Sequence, residues 1–327
     1  MSYTHQGFGF ARDGYGPTTP QTLFFGGSTT KGFTAAALSQ LVDDNEKHPE
    51  VQWTTPVSEL IQKDFVLSDA WATQHITIED CLSHRTGYPP HDFVSWPDPK
   101  AAARGLRHLP MSAEPRTKFQ YNNQMFTVIG YLVEQLSGGK WLGDVLRNKL
   151  WHPMGMKNTY LSVDDAKRNR GSLADELWYH NDSDSYVVVP HMQHRGHEGA
   201  GMILTCVEDY AKYIRYMMNE EDGPISKAGY AALKAPHMIV DSSHPQYTGA
   251  YYYGFGWMSG VIEGEQFWSH SGMMREHITQ IWFFPRRQFG VVLMENANSP
   301  AIDIALWRII YDYLGVKEDR RFDVEKR

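Results

Sequence analysis

A helix that is apolar on most of its faces has to be surrounded by other structure, and this chain carries one near its start. Residues 23–27, Leu-Phe-Phe-Gly-Gly, read as a short apolar strand ending in a glycine turn. Residues 29–44 read as the helix that follows. Phe33, Ala35, Ala36, Ala37, Leu38, Leu41 and Val42 spread around it, so it belongs in the middle of the fold.

The rest of the chain has to supply the layers around it. Residues 46–75 are polar, carry Pro49 and Pro56, and read as surface structure with short helices. Thr77-Ile78-Glu79-Asp80 reads as a capping box for a helix over 78–83, running into the turn Gly87-Tyr88-Pro89-Pro90. Residues 123–136 form a strong amphipathic helix stopped by Ser137-Gly138-Gly139, and a further helix is expected over 140–149. Residues 165–200 read as loop. Thr205-Cys206-Val207-Glu208 reads as a second capping box, opening a helix over 206–218. The period then changes: 252–262, 265–270, 277–284 and 289–295 read as strands of an antiparallel meander, followed by a helix over 299–314. The fold class expected is α/β (α+β), an antiparallel sheet flanked by helices. Residues 1–45 plus 205–327 are expected to form the α/β sheet domain, with 46–204 inserted as a mostly helical domain.

Composition removes several functions. A net charge of −7 over 327 residues, with no basic tract, excludes nucleic acid as the expected partner and leaves a small-molecule substrate. No run of about 18 apolar residues is present, so no membrane span is expected. Met1-Ser2-Tyr3-Thr4-His5-Gln6 has no basic segment leading into an apolar run, so the expected location is cytoplasmic. Two cysteines, Cys81 and Cys206, are too few for a disulfide framework and read as buried apolar fillers. Oligomeric state stays open.

The sharpest chemical feature is Gly26-Gly27-Ser28-Thr29-Thr30-Lys31-Gly32, at the junction of the strand and the buried helix. A serine hydroxyl is a weak nucleophile at neutral pH and needs an adjacent base or cation. Lys31, one helical turn on, is placed to supply it, and burial lowers a lysine's pKa towards that role. Alone, the pair also reads as an N-cap and a surface lysine. Two more triplets share the chain. Tyr121-Asn122-Asn123 stands 93 residues after Ser28, just before a strong helix, and His270-Ser271-Gly272 ends a strand 149 residues after Tyr121.

In this order and setting the chain resembles the serine β-lactamase and penicillin-binding-protein-like hydrolases, nearest the class C β-lactamase and esterase branch. That family joins an S-x-x-K motif to Y-x-N and a third triplet. Further stretches are similar to it: Leu82-Ser83-His84-Arg85-Thr86-Gly87, Ile129–Glu134, Leu150–Met156, Gly199-Ala200-Gly201-Met202-Ile203 and Tyr253-Gly254-Phe255-Gly256-Trp257. The resemblance covers roughly residues 7–315.

It implies a β-lactamase/transpeptidase-like fold with no cofactor and no metal. Ser28 is the implied acylated nucleophile, Lys31 its proton acceptor or alkoxide stabiliser, and Tyr121 the proton shuttle. A nearby lysine charge is expected to be what makes that phenol a useful base. Asn123 would hydrogen-bond Lys31 or the acyl group. The backbone N–H groups of Ser28 and of Met273, which follows His270, Ser271 and Gly272, would form the oxyanion hole.

Two departures stand out. His270 occupies the place of the lysine that faces a substrate carboxylate in β-lactamases and transpeptidases, which favours neutral esters, lactones or amides, although Arg275 could restore a charge. Only 27 residues precede Ser28, so the family's first helix and one edge strand are expected to be absent or abbreviated, leaving a sheet edge exposed. His191, His194, His197 and Glu198 are spaced as if for metal, but lie in a Pro- and Gly-bearing stretch without a metal-binding helix motif, and read better as a loop at the pocket mouth. Asp92, Trp96 and Tyr253 are candidate pocket-lining residues.

The expected function is therefore a serine hydrolase working through an acyl-enzyme on an ester, lactone or amide. The alternatives are an acyltransferase on the same serine, a β-lactamase or DD-peptidase, and an inactive binding relative, the last opposed by the intact Ser28, Lys31 and Tyr121.

Overall fold

The computed structural model describes residues 3–12, 15–169, 171–240 and 246–322. Its main sheet has six antiparallel strands, in spatial order Phe289–Glu295, His277–Phe284, Glu265–Met274, Met258–Ile262, Tyr252–Tyr253 and Met238–Ile239. Neighbours in space are neighbours in sequence, which is the meander that the alternating pattern required. The expected strand over 252–262 is broken in two, with Gly254 N donating to Trp257 O at 2.7 Å across the break. The reason is a close approach: at Gly256, whose φ is +78°, a Cβ would lie 2.8 Å from both Gly32 N and Lys31 C. The turn is pressed onto the backbone of the buried helix, where only glycine fits.

Alternate residues of the sheet feed two cores, as a period of two demands. Ile281 and Phe283 join the main core with Ile214 from the helix Val207–Asn219. Trp282 and Phe284 join a second core with Leu306, Trp307 and Ile310 of the helix Ala301–Leu314. The sheet is thus covered by helices on both faces. The main core is continuous from Leu23 to Phe283 and includes the helical middle of the chain.

The buried helix spans Thr30–Asp43, and eleven of its fourteen residues are buried, so it is central. Phe33 stacks on Tyr213 at 4.0 Å and meets Trp151 edge-on, tying the sheet side to the helical side. A second long helix, Asn123–Leu136, starts and ends where expected. Its N-cap is Asn122, whose side chain accepts from Met125 N at 3.0 Å, and Gly138 and Gly139, both at positive φ, stop it.

The first capping box is present: Asp80 N donates to the Thr77 hydroxyl and Thr77 N to the Asp80 carboxylate, opening the helix Ile78–Leu82. The second is not. The helix Val207–Asn219 has Cys206 at its N-cap without a side-chain cap. Thr205 is engaged elsewhere, its hydroxyl 2.8 Å from that of Thr159. The helix expected over 140–149 spans Leu142–Leu146 and widens into a π turn over Arg147–Trp151.

The stretch 165–200 is not the loop expected. It contains the helix Val163–Arg168, a two-stranded ribbon pairing Glu176–His180 with Ser185–Val189, and the short helix Glu198–Gly201. The Tyr186-Val187-Val188-Val189 run carries the strand propensity that drives the ribbon. At the start of the chain, Phe10–Arg12 pairs with Tyr15–Pro17 outside the main sheet. Phe289–Glu295 is one of the two outer strands of the six. A cavity of about 580 Å³ lined by Tyr3, Phe8, Val207, Ile214, Met218 and Val291 lies against it.

Candidate active site

Ser28 sits in a single 3-10 turn, Gly27–Thr29, between the short strand Phe24–Phe25 and the buried helix. The strand pairs with Leu204–Thr205, so the turn is anchored on one side. On the other it meets the strand Glu265–Met274, which runs straight through His270-Ser271-Gly272 rather than ending there. A Cβ on Gly272 would lie 1.8 Å from Gly26 O and 3.2 Å from Ser28 N. One on Gly27, at φ +53°, would lie 2.5 Å from Met273 N. The two backbones touch, which brings the amides of Ser28 and Met273 to the same place.

Lys31 is fully buried, and its Nζ meets three oxygens: Ser28 Oγ at 3.0 Å, Asn123 Oδ1 at 2.7 Å and Ala200 O at 2.8 Å. Burial holds its pKa well below the usual lysine range, opposed by the charge of Asp92. The amide of Asn123 is oriented by that same carboxylate, its Nδ2 donating to Asp92 Oδ1 at 3.1 Å. Since Asn122 is the helix cap, Asn123 is free to serve Lys31.

The Tyr121 hydroxyl lies near Ser28, and Lys31 Nζ stands 4.8 Å from the Tyr121 ring centre. Burial raises the phenol's pKa and the neighbouring Ser28 hydroxyl only partly offsets it. The phenol therefore keeps its proton near neutrality. The expected reading, in which the lysine charge turns the phenol into a base, is corrected by desolvation, and the group whose pKa moves towards neutrality is Lys31.

His270 is 4% exposed and lies beside Tyr121, 6.2 Å between ring centres. Its Nδ1 donates to Ser271 O at 2.6 Å, and its Nε2 accepts from the Tyr253 hydroxyl at 3.0 Å. Burial and the Lys31 charge push its pKa down to about 3, so it is a neutral imidazole. Ser271 and Met273 alternate with His270 along the strand and are exposed. Arg275 does not replace the missing cation, because it donates to Pro190 O at 2.7 Å and pairs with the buried Glu176 at 3.5 Å.

In the histidine cluster the His194 and His197 rings lie together, 4.7 Å between centres, while His191 is held elsewhere. His191 meets Ala174 O at 2.8 Å and His194 meets the Ser95 hydroxyl at 2.5 Å. Among the described residues no group of three His, Cys, Asp or Glu is placed to hold a metal ion. His197 feels the charges of His194 and Lys31, and burial foremost holds its pKa down to about 4. Trp96 lines a cavity of about 620 Å³ together with Trp141, Leu161, His194 and Met202. Tyr253 is fully buried and serves His270. Sequence reading missed the Ala200 carbonyl and the bond from Asp92. A backbone acceptor leaves no trace in residue type, and Asp92 lies 31 residues from the amide it orients.

A family model described as Beta-lactamase matches residues 2–314. The chain belongs to the β-lactamase family. A relative in Aspergillus campestris named unguisins hydrolase is 40% identical over 98% of this chain and 62% of its own length. A D-aminopeptidase of Gluconobacter oxydans is 25% identical over 92% of this chain and 54% of its own. The chain thus spans about three-fifths of the length of its fungal relative. Among solved structures, the octameric penicillin-binding protein homologue from Pyrococcus abyssi superposes with a TM-score of 0.81 at 22% identity, covering 97% of this chain and 72% of that one, which shows a shared fold. Both cysteines of this β-lactamase family member are free and buried. No helix among its described residues is long and apolar enough to cross a membrane.

Proposed function

We propose that this protein is a serine hydrolase that cleaves an amide, ester or lactone of a small molecule through an acyl-enzyme on Ser28. The observation that carries the reading is the 3.0 Å contact of Lys31 Nζ with Ser28 Oγ, made by an amine whose burial disfavours its charge. A neutral amine donates two N–H bonds, here to Asn123 and Ala200, and has one lone pair left for the Ser28 hydroxyl proton.

Ser28 Oγ passes its proton to Lys31 Nζ and bonds to the substrate carbonyl carbon. The developing oxyanion lies against the Ser28 and Met273 amides, where one such donor contributes about 3 kcal/mol. The carbon–leaving-group bond then breaks, the leaving group takes the Tyr121 proton, and the Lys31 ammonium reprotonates Tyr121. Water repeats the sequence on the acyl-enzyme and frees the acid.

The substrate's acyl portion is read as uncharged, because His270 is neutral and Arg275 is committed to Glu176 and Pro190. This disfavours the β-lactamase and DD-peptidase alternatives. The names of the relatives, a hydrolase and a D-aminopeptidase, support an amide among the candidates. The test is intact-mass analysis with a fluorophosphonate probe on the protein and on Ser28→Ala. One adduct on Ser28, absent in the variant, is expected; labelling elsewhere, or none, overturns the mechanism. Product partition from p-nitrophenyl esters with added alcohols then separates hydrolysis from acyl transfer.

A further inference from the structure

His84 lies just past the helix Ile78–Leu82, at the point where the chain reverses. Its φ of +58° is left-handed, a conformation that usually goes to glycine at this position after a helix. The backbone asks for glycine, yet the chain keeps a large, fully buried ring there. A residue held in an unfavoured conformation in the middle of a site is a reason to look for what its side chain does.

The side chain and the backbone of His84 grip the same short segment. His84 O accepts from Gln120 N at 2.8 Å. His84 Nδ1 accepts from Asn122 N at 3.0 Å. These are the two amides on either side of Tyr121. The imidazole lies against the Tyr121 ring, 4.2 Å between centres, and is enclosed by Phe119, Phe126 and Tyr253. The loop that carries His84 is itself pinned, since Arg85 and Arg116 both bind the buried carboxylate of Asp80.

We propose that His84 is the positioning residue of Tyr121, clamping the backbone on both sides of it so that its hydroxyl stays on Ser28. The inference rests on the reading of Tyr121 as the proton donor given above. A further consequence concerns the form of the imidazole. An Nδ1 that accepts from an amide leaves the proton on Nε2, and a second proton would set N–H against N–H. Burial, and then the Lys31 charge, keep the ring in that neutral form.

The test separates acceptor from bulk. His84→Phe keeps an aromatic ring but has no acceptor for Asn122 N. His84→Asn loses the ring but places an oxygen near the Nδ1 position, and asparagine tolerates left-handed backbone. The readout is turnover of a neutral anilide, whose amine leaves only with a proton, by the full chain, with fluorophosphonate labelling of Ser28 and the unfolding midpoint measured alongside. Loss of one hydrogen bond at the clamp is expected to lower anilide turnover about tenfold in His84→Phe and about threefold or less in His84→Asn, with labelling changed far less because fluoride needs no proton to leave. On a Tyr121→Phe background, His84→Phe is expected to add nothing further, since its effect runs through the phenol. If His84→Phe does not fold, His84→Leu, smaller and equally without an acceptor, replaces it. Turnover that follows bulk (Phe harmless, Asn harmful), or that ignores both changes, overturns the clamp alone. No labelling of the unaltered protein overturns the hydrolase reading, and the clamp with it.

Discussion

Lys31 Nζ stands 3.0 Å from Ser28 Oγ while its two remaining contacts go to groups that only accept, Asn123 Oδ1 and Ala200 O. The arrangement fits an amine whose lone pair is reserved for the serine proton. Lys31→Arg keeps a cation but cannot lose its proton near neutrality, and Lys31→Met removes the base. Both are expected to lower acylation of Ser28 by about 10³-fold or more. Stopped-flow release of p-nitrophenol reads the first turnover. An arginine variant that keeps most of the burst would show that Lys31 acts by charge and not as a base.

If Tyr121 gives the proton as proposed, how much that matters depends on the leaving group. An amine needs the proton to depart; p-nitrophenolate does not. Tyr121→Phe is therefore expected to cut amide turnover by about 10²–10⁴-fold and p-nitrophenyl ester acylation far less. The ratio of the two losses is the measurement. Equal losses would place the role of Tyr121 before leaving-group departure.

Much of this site was legible in the chain because its parts are side chains of distinctive type at a strand–helix junction and a helix start. Ser28, Lys31 and Tyr121 do meet, and Asn123 does reach Lys31. The parts that were not legible are set by backbone and burial. The carbonyl of Ala200 has no residue signature. His270 reads as a group that could carry charge to a substrate until its burial, at 4% exposure, shows it neutral. Arg275 reads as a spare cation until Glu176 is found beside it, about a hundred residues earlier in the chain. Thr205 and Glu208 match a capping pattern, but a long-range partner, Thr159, takes the Thr205 hydroxyl. Local pattern fixes an element's existence better than its first residue.

Gly272 carries no side chain because there is no room for one. A Cβ there would sit 1.8 Å from Gly26 O, a distance no relaxation of a side chain relieves, since both partners are backbone. Gly272→Ala is expected to push Met273 N away from Ser28 N and lower kcat by about 10²-fold, the effect of losing one oxyanion donor, with KM changed little. Steady-state kinetics beside a circular dichroism spectrum checks it. A fully active alanine variant would mean that Met273 N is not part of the oxyanion site.

His270 offers no charge to a substrate, because its pKa is held near 3 by burial and by Lys31. Two outcomes follow. The pH dependence of kcat/KM is expected to rise with the loss of the Lys31 proton, and no inflection near pH 6.5 is expected from His270. His270→Lys is expected to raise turnover of a carboxylate-bearing β-lactam such as nitrocefin relative to a neutral ester. An unchanged ratio would sink the idea that this position sets the substrate's charge.

Away from the site, His277 gives the fold a pH dependence of its own. Its Nδ1 accepts from Phe25 N at 2.8 Å, its Nε2 donates to Asp175 O at 3.3 Å, and burial lowers its pKa from 6.5 to about 3. Above about pH 6.5 the imidazole is neutral in both the folded and the unfolded chain, and its full contribution is present. Below that, the unfolded chain takes up a proton that the folded chain refuses until about pH 3, so stability falls as the pH drops through this window. One such histidine accounts for up to about 1.4 kcal/mol per pH unit. His277→Asn keeps an acceptor for Phe25 N and removes the titration. Urea unfolding of the two proteins from pH 7 to pH 4.5 is expected to give a shallower loss in the variant by up to that amount. Other groups titrate in the same range, so the difference between the two curves isolates His277. Parallel curves would mean that His277 is protonated in the fold, and that the Phe25 contact does not hold it neutral.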